Sequence, residues 1–141
     1  MTVPVPETPE EIEESPVYYI SLNRIAELKR SAVTILAARR GASAPSRLKP
    51  DHELDDPQAL VDEIAEYAAS EDGFIQPDMP IQEIVFRILL SRKNQPTALT
   101  ELHEELTERW STPIRPINVS AKSLERILDS DNYYGFAREG S

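Results

Sequence analysis

The chain has 141 residues, a formal net charge of −10 and no cysteine. That length suits one domain with an arm or tail. The missing cysteines exclude a disulfide framework, a thiolate nucleophile and a Cys-based zinc or iron–sulfur site, and suit a reducing, cytoplasmic setting.

Residues 1–15, MTVPVPETPEEIEES, are rich in proline and glutamate and offer little to bury. They read as a disordered acidic tail. They have neither the basic nor the apolar region of a secretory leader. No apolar run in the chain nears the ~20 residues of a membrane helix, so no membrane partner is expected.

Pro16 to Ile20 is apolar and β-prone, either a strand or an extended lead-in. Ser21 to Arg40 then reads as one helix, capped by Ser21 and ended by Gly41. Leu22, Ile25, Leu28, Ala32, Ile35 and Leu36 form a stripe at 3–4 spacing. Residues 20–49 carry seven bases and one acid, so the helix is basic on its outer side. Residues 16–41 are therefore expected to be a basic amphipathic arm. Its stripe would pair with another protein or a second copy through Leu22, Ile25, Leu28, Ile35, Arg39 and Arg40. As a nucleic-acid surface the basic block lacks interleaved aromatics for stacking. Residues 50–79 carry ten acids and no base and could neutralise it.

Residues 42–55 read as a linker. Asp56-Pro57 is a helix start, with Asp as cap and Pro in the first turn. The helix continues to Ala69 and buries Leu60, Val61, Ile64, Ala65 and Ala68. Phe74-Ile75 anchors the next loop in the core. His52-Glu53-Leu54-Asp55-Asp56 invites a metal reading, but Asp56 is explained as a cap and no second histidine stands at ligand spacing. No metal or cofactor is expected. No nucleophile, phosphate-loop or paired-carboxylate signature appears, so the chain reads as a non-enzyme.

The last third gives helix Ile81–Lys93, a turn at Asn94-Gln95-Pro96, and Thr97-Ala98-Leu99 as a short strand. Thr100 then caps a helix that buries Leu102, Leu106 and Trp110. Pro113 and Pro116 make the following loop extended. Ser120 caps a helix that buries Leu124, Ile127 and Leu128. Asp131-Asn132 turns into a strand over Tyr133–Ala137.

The run NVSAKSLERILDSDNYYGFAR (Asn118–Arg138) resembles the recognition helix and first wing strand of winged-helix proteins. With ALTELHEEL (Ala98–Leu106) before it, residues 78–138 are similar to HARE-type modules and the N-terminal domain of bacterial RNA polymerase delta subunits. The expected fold is mostly α. A winged-helix-like trihelical domain with a short terminal β element spans 56–141, with N-terminal helices before it. Only one wing strand precedes Ser141, so the wing is truncated or the strand pairs elsewhere. The second helix carries Glu101, Glu104, Glu105 and Glu108, which would repel phosphates if they face them. The resemblance to delta subunits, acidic partners of polymerase, implies that a protein contact could replace the DNA contact.

The resulting expectation is a non-enzymatic, DNA-associated or transcription-linked protein that binds double-stranded DNA. Its contacts would be Arg115, Ser120, Lys122, Ser123, Arg126 and Arg138. The alternative is a protein-interaction adaptor that keeps the fold without DNA binding and dimerises through helix 21–40.

Overall fold

The computed structural model describes residues 15–50 and 53–140. The expected tail lies outside this range except for Ser15, as does His52. The described chain is mostly helical, with a small three-stranded antiparallel sheet. No described helix is long and apolar enough to cross a membrane.

Strand β1 (Val17–Ile20) alternates half-buried and buried positions, with Tyr18 and Ile20 inward. It is the central strand of the sheet. On one side lies β2 (Thr97–Ala98), with Tyr18 opposite Thr97. On the other lies β3 (Phe136–Arg138), with Ile20 opposite Phe136. The expected wing strand therefore pairs with β1.

The single helix expected over Ser21–Arg40 is two helices, α1 (Leu22–Glu27) and α2 (Ala32–Ala37). Lys29 adopts a left-handed conformation at φ 64°. Around it, Lys29 N–H bonds Ala26 O and Arg30 N–H bonds Ile25 O. This double closure satisfies the last carbonyls and ends α1. Ser31 then caps α2 through Thr34 N–H, as Ser21 caps α1 through Arg24 N–H. Ile25, Ile35 and Leu36 are buried in the core shared with Tyr18, Phe86 and Phe136. Residues 16–41 are thus part of the domain rather than an arm. Ile25, Ile35 and Leu36 of the stripe proposed for a partner are covered by the chain itself, while Leu22 and Leu28 are half-buried.

A 3-10 turn (Pro45–Leu48) lies in the expected linker. Helix α3 (Pro57–Glu63) starts where Asp56 accepts from Gln58 and Ala59 N–H. It passes directly into a π-helical turn, Ile64–Ala68. Helix α4 (Ile81–Ser91) is the core helix, with Ile84, Val85, Phe86, Ile88, Leu89 and Leu90 fully buried.

Helix α5 (Leu99–Glu108) begins one residue before Thr100 and has no side-chain cap. The N-terminal segment does that work: Leu99 N–H bonds Pro16 O and Thr100 N–H bonds Ser15 Oγ. Helix α6 (Ala121–Asp129) follows the proline loop and buries Leu124 and Leu128, with Ile127 only half-buried. Trp110 is likewise only partly buried. Strand β3 begins later than Tyr133. The Asp131 carboxylate accepts backbone N–H bonds from Tyr133, Tyr134, Gly135 and Phe136, which holds that stretch as a turn.

Candidate nucleic-acid interface

Helix α6 is set by its cap and its two core residues. Ser120 Oγ accepts from Ser123 N–H at 3.1 Å and lies 3.0 Å from Ser123 Oγ. With Leu124 and Leu128 inward, helical geometry sends Lys122 and Arg126 to the opposite side. Both are exposed, and neither has an ion pair among the described residues. Ser123 stands at one edge of this face. It shares a groove of about 530 Å³ with Arg115, which is exposed on the loop before the helix. His103 of α5 fixes that loop by bonding Val119 O through Nε2 at 2.7 Å.

Arg138 does not join this group. It lies at the other edge of α6, where its guanidinium bonds Glu125 at 2.8 Å and both oxygens of Asp129. Arg138 holds the Asp129 carboxyl below the usual range. Tyr18 also donates to Asp129 at 2.7 Å. Burial, together with that bond, pushes the Tyr18 hydroxyl well up. The expected DNA contact is therefore a clamp between β3, β1 and α6. It leaves Glu125 and Asp129 compensated beside the cations.

The acidic helix α5 is also partly compensated. Arg92, near the end of α4, reaches Glu101 at 2.6 Å and Glu105 at 2.7 Å. Glu104 and Glu108 remain exposed.

The residues expected to bind a partner occupy other roles. Arg39 makes a two-armed bond to Glu83, at 2.8 and 2.7 Å. Arg40 bonds Ala37 O and Ser46 Oγ. Ile25 and Ile35 are core, and Leu22 and Leu28 are half-buried.

Glu83 was not singled out from the sequence. It also accepts from Arg87 at 2.6 Å and Tyr134 hydroxyl at 2.9 Å. Burial alone would raise its carboxyl, but the bonds from Arg39 and Arg87 outweigh burial and lower it to about 2. The signal was present: a lone acid on an apolar helix, four residues before Arg87.

Chemically, α6 and the loop before it offer Lys122, Arg126 and Arg115, none with an ion pair among the described residues, and the hydroxyls of Ser120 and Ser123. That set can hold phosphate oxygens. No protein-family model matches the chain, and no curated protein or solved structure matches it.

Proposed function

We infer that the protein is a non-enzymatic, winged-helix-like module that contacts duplex DNA through the outer face of α6, in a DNA-associated or transcription-linked role. The order α4, β2, α5, α6, β3 supports the winged-helix reading, with β1 standing where a second wing strand would be. The observation that carries the DNA reading is that Lys122 and Arg126 share one outward face of α6, exposed and without an ion pair among the described residues. Lys29, Lys49 and Lys93 are also exposed without one, so it is the shared helix face that supports the reading. Arg115 extends the same surface. Three phosphate contacts give a log–log salt slope of about −2.7, so affinity falls about 40-fold between ~50 and ~200 mM salt.

The test is a salt-titrated anisotropy measurement with the full chain and a labelled duplex. Lys122→Glu and Arg126→Glu should each weaken binding and flatten the slope. Absence of wild-type binding at ~50 mM salt would sink the reading.

A protein-interaction role has one supporting observation, the exposed Glu104 and Glu108 on α5. It gains ground if duplex binding is absent and Glu104→Lys with Glu108→Lys disrupts capture of a basic protein partner.

A further inference from the structure

One side chain beside the α6 face is unexplained by phosphate contact. Ile114 is 88 % exposed, whereas Ile117 and Val119 of the same loop pack against the core. A scattered exposed isoleucine is ordinary. This one is held in place. Pro113 and Pro116 restrict the backbone on both sides. Thr112 N–H bonds Arg115 O at 3.2 Å, and Arg115 N–H bonds Thr112 Oγ1 at 2.9 Å. Residues 112–115 are therefore a turn closed twice. Ile117 N–H bonds Ser111 Oγ at 2.8 Å, which ties the loop back to the end of α5. Ile114 and Arg115 line the groove that reaches Ser123 of α6.

A duplex offers partners for all of these groups: phosphates for Arg115, Lys122 and Arg126, and apolar base faces for Ile114. We propose that Ile114 is a DNA wedge. With α6 against a duplex, Ile114 enters the adjacent minor groove and inserts between two base pairs, while Arg115 holds the neighbouring phosphate. Unstacking one step costs a few kcal/mol and kinks the duplex by about 20–90°, which brings more DNA onto the protein. A stiff turn suits this role because its ordering entropy is lost on folding rather than on binding. The proposal rests on the reading of α6 as the DNA-contacting face. It adds a prediction of bending that phosphate contacts alone do not make.

The test uses the full chain and a ~30-base-pair duplex labelled at both ends, at ~50 mM salt. Anisotropy reports binding and energy transfer reports bending. A second duplex carries 2-aminopurine to report unstacking. The wild type should bind, raise energy transfer and brighten 2-aminopurine. Ile114→Ala should bind about threefold more weakly and lose both bending signals, while Ile114→Phe keeps them. Ile114 is outside the core, so circular dichroism should be unchanged. Wild-type binding to an unbent duplex, or bending that survives Ile114→Ala, overturns the wedge and leaves the α6 reading standing. No wild-type binding overturns both.

Discussion

The side chain of Asn94 pairs with the backbone of Ile20 as a neighbouring strand would. Its Oδ1 accepts from Ile20 N–H at 2.7 Å and its Nδ2 donates to Ile20 O at 2.8 Å. Strand β2 is only two residues long, and Asn94 extends its support along β1. Asn94 can do so because it sits left-handed at φ 60°, a conformation asparagine tolerates. Asn94→Ala removes both bonds at a buried residue and leaves a left-handed backbone that alanine tolerates less well than asparagine. We expect a loss of about 2–4 kcal/mol in urea unfolding. Asn94→Gly loses the bonds but keeps the turn, and should be about 1 kcal/mol less damaging. Equal losses would show that the backbone conformation contributes nothing.

Glu83 makes stability depend on acid. Its carboxyl, ordinarily near 4.5, is lowered to about 2 in the folded chain. A depressed value means that the stabilisation is fully present above pH ~4.5 and is lost as pH falls through ~2. The amount is on the order of 3 kcal/mol. Glu83→Gln should remove this part of the acid limb. It should also be less stable at pH 7, because Arg39 and Arg87 lose a buried counter-charge. Urea midpoints for both proteins from pH 2 to 7 give the difference curve. A variant with the wild-type acid limb would exclude Glu83 as its source.

Gly135 joins the start of β3 to α1. It lies at φ +82°, and its carbonyl accepts from Ser21 N–H at 2.8 Å. An added Cβ would meet Ile25 Cγ1 at 2.5 Å and Ser21 O at 2.9 Å. Neither neighbour can yield easily, since Ile25 is fully buried and Ser21 O is backbone. Gly135→Ala should cost about 2–4 kcal/mol and lower the melting temperature, by strain and overpacking together. Gly140→Ala is the control. It shares the positive φ but has nothing within 4 Å of the new Cβ, so its loss should be smaller.

Local signals in the sequence were legible at two helix starts. Asp56-Pro57 marked the start of α3, and Ser120 with Leu124 and Leu128 placed α6 and turned Lys122 and Arg126 outward. The break after α1 was missed because Leu22, Ile25, Leu28 and Ile35 keep helical spacing across it. Ser31 was a readable second cap, but nothing in a lysine announces a left-handed turn at 29. The strands were expected close to where they lie, with a lead-in as the alternative for 16–20, but their pairing was not legible. A four-residue strand carries too little pattern to select partners at Thr97 and Phe136, far along the chain. The ion pairs of Arg138 were not legible for the same reason. Only the register of β3 against β1 brings it to Asp129.

That clamp allows contact and neutralisation to be separated. Arg138 is bound to Glu125 and Asp129, so on the proposed DNA reading it is expected to support α6 by cancelling their charge rather than by touching phosphate. Arg138→Ala exposes two carboxylates beside Lys122 and Arg126. Duplex binding should weaken by roughly fivefold at ~50 mM salt, the effect of about 1 kcal/mol. The deficit should shrink as salt screens the charges. Adding Glu125→Gln and Asp129→Asn to Arg138→Ala should restore affinity, since the repulsion is then gone. If Arg138 instead grips a phosphate, the triple variant will remain weak. Salt-titrated anisotropy on the single and triple variants decides between the two roles, with circular dichroism confirming that α6 stays docked.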